Sequence, residues 1–120
     1  MKVLLAEDEP DVQLIARLSL KKAGLTVVTV GSGVEVLERV AEERPDAILL
    51  DWMMPDMDGY ETCRRLKADP ATAAIPVVFL TARVQEAEIA KALALGAAGC
   101  IGKPFDAIGL GAQVKALLAA

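Results

Sequence analysis

The chain has 120 residues, a net charge of −4 and a 54% hydrophobic content, enough for one domain with one core and too little for two. No apolar segment approaches the roughly 20 residues needed to span a bilayer, and the longest basic stretch is the pair Arg64-Arg65, so direct binding of membrane or nucleic acid is not expected. With no histidine and only two cysteines, neither a zinc site nor a Ser-His or Cys-His nucleophile pair can be built, and any metal must be held by oxygen. Glu7 interrupts the first apolar run before it could act as a secretory signal, so a cytoplasmic location is the default expectation.

Short apolar runs alternate with helical patterns five times, which predicts an α/β fold with a doubly wound parallel sheet and helices on both faces. A first strand over Lys2 to Ala6 leads to Pro10, suited to a first helical turn, then Val12, Ile15 and Ser19 at helical spacing with Gly24 as the stop. Thr26 to Val30 forms the second strand. Ser32 caps a helix carrying Val34, Leu37, Val40 and Ala41, which ends before Pro45. The third strand runs from Ala47 to Asp51. Next comes a loop, Trp52-Met53-Met54-Pro55-Asp56-Met57-Asp58-Gly59, and a helix with Tyr60, Cys63 and Leu66 on one face. Trp52 and Phe105 are expected to pack loop to helix, and Met53, Met54 and Met57 either to fill space beneath the loop or to form an adaptable docking surface; Arg64, Arg65 and Lys67 read as a solvated helix face. A fourth strand, Val77 to Thr81, precedes an alanine-rich helix from Gln85 to Leu95, ended by Gly96. A fifth covers Gly99 to Lys103, and a last helix runs from about Asp106 to Leu118 with Leu110, Val114 and Leu117 inward. Gly109 and Gly111 near its start each cost about 1 kcal/mol relative to alanine, which predicts a loose first turn. Cys63 and Cys100 read as small buried hydrophobes.

Asp51 places a carboxylate at the end of a buried strand, which costs desolvation energy unless the charge is paired. Glu7 and Asp8 follow the first strand, Thr81 ends the fourth and Lys103 the fifth. In an open α/β sheet these carboxyl ends are where ligands bind. Three converging acids raise one another's pKa, and a hard divalent ion relieves this; Mg²⁺, with Mn²⁺ as the alternative, keeps waters and contacts phosphate. Lys103 and Thr81 supply a positive charge and a hydroxyl donor for phosphoryl oxygens, and Asp51 is then the nucleophile that forms an aspartyl phosphate. Each residue alone has an ordinary reading as a cap, a turn residue or a solvated lysine, but independent capping does not produce acids, hydroxyl and amine at the matching ends of four strands.

Together these residues resemble the receiver domain of two-component response regulators, over the whole chain. Ala6-Glu7-Asp8-Glu9 is similar to the family's acidic pair, Asp51 with Met54-Pro55 and Asp58-Gly59 to its phosphoacceptor loop, Leu80-Thr81-Ala82 to its threonine segment, and Lys103-Pro104-Phe105 to its lysine turn. The resemblance implies one receiver domain over residues 1–120 and a five-stranded sheet of order 2-1-3-4-5. It implies that Asp51 accepts phosphate from a sensor histidine kinase or a phosphotransfer protein. It also implies that Mg²⁺ is bound by Asp8, Asp51 and the backbone carbonyl of Met53 directly and by Glu7 through water, that Lys103 and Thr81 contact phosphoryl oxygens, and that the Lys103-Pro104 bond is cis. Kinase docking would fall on the exposed face of the first helix, including Gln13 and Arg17. On this reading the chain is a phosphorylation-controlled switch rather than a turnover enzyme, a monomer or a phosphorylation-dependent dimer, either a stand-alone protein that signals to another protein or the receiver portion of a longer chain with its own output domain.

One position departs from the family. An aromatic residue usually stands three before the lysine, and here that position is Cys100. Activation is therefore expected to work through the segment after Thr81 and the following alanine-rich helix. Met53 and Val84, flanking the expected path of the attacking water, are both apolar, which predicts slow self-dephosphorylation. The competing reading is a metal-dependent phosphatase or phosphotransferase with an aspartyl-phosphate intermediate. Such an enzyme needs a second acid two residues after the nucleophile, where this chain has Met53. That methionine and the acidic balance also argue against a nucleic-acid-cleaving metal domain, and the first strand-to-helix turn lacks the Ser, Thr or Gly with which a flavin carrier cradles phosphate.

Overall fold

The computed structural model describes residues 1–54, 56–82, 86–103 and 109–119. Strands β1 (Lys2–Ala6), β2 (Thr26–Val30), β3 (Ala47–Asp51), β4 (Val77–Thr81) and β5 (Gly99–Gly102) alternate with helices α1 (Pro10–Lys22), α2 (Gly33–Glu43), α3 (Gly59–Ala68), α4 (Glu86–Ala94) and α5 (Leu110–Ala119). All neighbouring strands pair in parallel, in the order β2-β1-β3-β4-β5. This is the expected fold and order. The Lys103-Pro104 bond, Phe105, Val84, Gln85, and Pro55 lie outside the described residues, as do 106–108 at the expected start of the last helix.

Successive side chains of a strand point to opposite faces, so each apolar run feeds two cores. On one face Leu4, Ala6, Ile48, Leu50, Val77 and Phe79 pack with Val36, Val40, Cys63, Leu66 and Ala92 from α2, α3 and α4. On the other, Val3, Leu5, Leu49, Val78, Leu80 and Ile101 pack with Ala16, Leu20, Leu110 and Val114 from α1 and α5. Continuous apolar runs, rather than alternating ones, follow from this coverage on both sides. No described helix is long and apolar enough to cross a membrane.

The helix faces differ in part from expectation. In α1, Ala16, Ser19 and Leu20 are buried, whereas Ile15 is exposed together with Leu14 and Leu18. The helix has more apolar positions than one face can hold, and the small residues win because α5 comes close. A Cβ on Gly111 would lie 2.5 Å from Ala23 Cβ and 2.9 Å from the Ser19 carbonyl oxygen. The Gly111 N–H also donates to Ser19 Oγ at 3.2 Å, within the buried contact. Gly111 is thus a close-packing residue whose N–H ties α5 to α1, while the first turn expected from about Asp106 falls largely outside the described residues. In α2, Val36 and Val40 face the core with Leu37 at its margin, while Val34 and Ala41 are exposed.

Two further readings are corrected. Arg64 and Arg65 do lie on an exposed face, pairing with Glu61, but Lys67 is half-buried and donates to the carbonyls of Ala73 (2.9 Å) and Ile75 (2.8 Å). Its stem lies along the protein while its ammonium pins the connection into β4. Cys63 is fully buried, but Cys100 is only partly so, at the margin of the α4-side core.

Candidate functional site

Strand register brings the chemistry together. Ala6 pairs with Leu50, Asp51 with Leu80, and Thr81 with Gly102, so Glu7, Asp51, Thr81 and Lys103 lie at neighbouring strand ends on one edge of the sheet. Glu7 and Asp51 are buried, at 1% and 4% exposure, whereas Asp8 is exposed. One carboxylate oxygen from each of Glu7, Asp8 and Asp51 lies within 4.8 Å of the other two. Lys103 reaches the cluster from β5, its Nζ 2.7 Å from Glu7 Oε1 and 2.9 Å from Asp51 Oδ1. Thr81 is buried at the adjacent strand end, its carbonyl accepting from the Lys103 N–H at 2.8 Å.

Local backbone bonds aim these groups. Asp51 Oδ1 accepts from the Met53 N–H at 3.2 Å, which orients the carboxylate across the start of the following loop. Glu7 Oε2 accepts from the Glu9 N–H at 3.1 Å, and the Glu7 N–H donates to the Val30 carbonyl at 3.1 Å. The Gln13 side-chain amide donates to the carbonyls of Glu7 (3.0 Å) and Val30 (3.3 Å). Gln13 therefore braces the acidic turn. A sequence pattern could not show this, because the acceptors belong to two different strand ends.

The loop is closed at its base by the Gly59 N–H donating to the Trp52 carbonyl at 2.9 Å. A Cβ on Gly59 would meet the Asp51 carbonyl oxygen at 2.5 Å, so only glycine fits there. Asp58 caps α3 through the Glu61 N–H at 2.8 Å. Trp52 packs on Phe79 with ring centroids 4.7 Å apart and on Tyr60 at 6.1 Å, as the loop-packing expectation required. Met54 packs against the core, but Met53 is 73% exposed and fills no space beneath the loop. A cavity of about 340 Å³, bounded by Trp52, Met53, Thr81, Ala82 and Glu88, adjoins the ends of β3 and β4.

The electrostatics suit a hard cation. Burial pushes the Glu7 carboxyl up from 4.5 to about 7; the Asp51 charge adds to this, while Lys103 and the Glu9 amide oppose it. Burial depresses the Lys103 ammonium, but its contacts to Glu7 and Asp51 outweigh that and leave it above its ordinary value. One lysine thus faces three acids, and the donor set is oxygen alone. The residues fit a divalent ion with oxygen ligands and suit no soft metal.

Known proteins bear on this arrangement. The response regulator receiver domain family matches residues 3–115. The phosphate regulon transcriptional regulatory protein PhoB of Rhizobium meliloti is 41% identical over 117 residues, which are 98% of this chain and 52% of PhoB. Among solved structures, the chemotaxis response regulator CheY4 of Vibrio cholerae superposes with a TM-score of 0.90 at 28% identity over 97% of each chain. The BeF3-activated N-terminal receiver domain of Klebsiella pneumoniae RstA does so with a TM-score of 0.88 at 31% identity over the whole of both. The chain spans about half the length of the curated relatives it matches. A classical turnover enzyme finds no support here, and the chain belongs to the receiver domains of response regulators.

Proposed function

We propose that the chain is a phosphorylation-controlled switch in which Asp51 accepts a phosphoryl group from a phosphohistidine on a sensor kinase or phosphotransfer protein. The observation that carries this is the buried Asp51 carboxylate held between Lys103 Nζ at 2.9 Å and the acids Glu7 and Asp8. An Asp51 oxygen attacks phosphorus, the bond from phosphorus to the donor imidazole nitrogen breaks, and that nitrogen leaves with the electron pair and is protonated by solvent.

Asp8, Asp51 and the Met53 carbonyl would hold a Mg²⁺ ion, with Glu7 contributing through water, and the ion would supply charge neutralisation for the phosphoryl oxygens. Lys103, already against Asp51, neutralises a phosphoryl oxygen as the new bond forms, and the Thr81 hydroxyl moves to donate to another. The small buried surface of α4, where Ala92 is the fully enclosed residue, supports a readout by movement of that helix in place of an aromatic rotamer at Cys100. Output then passes to a partner protein or a further domain.

The test is Mg²⁺-dependent labelling with a small phosphodonor such as acetyl phosphate, comparing wild type with Asp51→Asn. Labelling of wild type alone is expected. Undiminished labelling of the variant would overturn the assignment.

A further inference from the structure

The loop that follows Asp51 is anchored at a point remote from the acids. The Gly33 N–H donates to Asp56 Oδ1 at 3.3 Å and the Val34 N–H to Asp56 Oδ2 at 3.1 Å. Ser32, the N-cap of α2, takes only the third amide, accepting from the Glu35 N–H at 3.2 Å. The first three amides of α2 are therefore divided between its own cap and an acid 22 to 23 residues further along the chain.

A helix start carries partial positive charge and unsatisfied N–H groups, so a bidentate carboxylate is well matched to it. Burial alone would raise the Asp56 pKa, but the amides of Val34, Met57 and Gly33 outweigh it and hold the acid below its ordinary value. The loop also abuts α2 closely. A Cβ on Gly33 would lie 2.3 Å from Thr62 Oγ1 and 2.8 Å from the Met57 carbonyl oxygen. Trp52 and Gly59 are thus tied at the base of the loop, and Asp56 is fastened to α2.

We infer that Asp56 is a positioning residue for the proposed Mg²⁺ and phosphoryl site, acting through the loop on the Met53 backbone and the Asp51 carboxylate. The link is short: Met53 is three residues before Asp56, and its N–H orients Asp51 Oδ1 at 3.2 Å. Without the anchor the Met53 N–H and carbonyl lose their fixed placement, and Asp51 loses the bond that aims it. Outer partners of this kind change metal affinity by roughly 10- to 100-fold. The inference rests on the Mg²⁺ reading above.

Trp52, the single tryptophan, adjoins Asp51 and serves as the fluorescence probe, with isothermal titration calorimetry as the direct measure of Mg²⁺ binding. Mg²⁺ titrations of wild type, Asp56→Ala, Asp56→Asn and Ser32→Ala, each at a temperature where circular dichroism shows it folded, separate positioning from stability. Ser32→Ala removes the other cap of the same helix and is expected to lower the melting temperature while leaving Mg²⁺ affinity within about twofold. Asp56→Ala is expected to weaken Mg²⁺ binding about tenfold. Asp56→Asn, which keeps one acceptor oxygen, should fall between it and wild type. In the metal-free protein, hydrogen exchange at the Met53 amide should be faster in Asp56→Ala and unchanged in Ser32→Ala. An Asp56→Ala protein with wild-type affinity and Met53 exchange would overturn the inference alone, as would an equal loss of affinity in Ser32→Ala. A wild-type protein with no saturable Mg²⁺ response would instead remove the metal reading itself, and the inference with it.

Discussion

Glu7 and Lys103 form a 2.7 Å ion pair between the ends of β1 and β5, and the same ammonium is shared with Asp51 at 2.9 Å. The acid is enclosed and its carboxyl is raised to about 7, so the pair is held together against a desolvation cost that a divalent cation would relieve.

The first prediction concerns pH. A carboxyl with a folded pKa above its unfolded value of 4.5 binds more protons in the folded state between about pH 4.5 and 7. The stability tied to Glu7 is therefore full below 4.5 and is lost as pH rises toward 7. In chelator, urea unfolding of wild type should show this loss between pH 5 and pH 8, on the order of 2 kcal/mol. Glu7→Gln should lack it, and the difference between the two slopes isolates Glu7 from every other titrating group. Parallel slopes would refute the assignment, while addition of Mg²⁺ should restore wild-type stability at pH 8 and affect Glu7→Gln less.

A variant at Lys103 would separate the proposed metal binding from the proposed phosphoryl transfer. Its ammonium lies against two of the three acids, so Lys103→Met should tighten Mg²⁺ binding by about three- to tenfold through loss of a competing cation. The same variant should label with acetyl phosphate at least tenfold more slowly, because a cation for the transferring group is gone. Weaker Mg²⁺ binding together with normal labelling would contradict both assignments.

Packing of α1 on α5 is tested by Gly111→Ala. Alanine favours helix by about 1 kcal/mol, but its methyl would sit 2.5 Å from Ala23 Cβ and 2.9 Å from backbone oxygen. Overpacking of about 1–3 kcal/mol should win, giving a lower midpoint in urea. A more stable variant would show that the two helices part easily.

Met53 bears on the lifetime of the phosphate. Its side chain is 73% exposed beside Asp51, where the proposed acyl phosphate would form. We expect Met53→Ala to shorten the phosphorylated half-life by about threefold, a change of less than 1 kcal/mol in the barrier. Loss of radiolabel from the isolated phosphoprotein measures it, and an unchanged or longer half-life would remove Met53 from that role.

All five strands and the residues at their ends were legible in the chain, because a strand buried on both faces must be a short continuous apolar run and a polar residue that ends such a run is conspicuous. Asp51, Glu7, Asp8, Thr81 and Lys103 stand out for that reason. Helix faces were less legible. In α1, Leu14, Ile15 and Leu18 compete by hydropathy with Ala16, Ser19 and Leu20, and the choice fell to the small residues that admit Gly111 of α5.

Hydropathy and spacing alone thus determined the alternating architecture and which strand ends carry acid, hydroxyl and amine, since burial imposes its pattern locally along each element. Only the tertiary structure decided where the polar braces attach: Gln13 to Val30, Lys67 to Ile75, Asp56 to Gly33 and Val34, and Ser19 to Gly111. Each joins groups from different segments. A hydrogen bond depends on two atoms meeting within about 3 Å, and that meeting is set by how the elements close on one another, which no periodicity in the chain encodes.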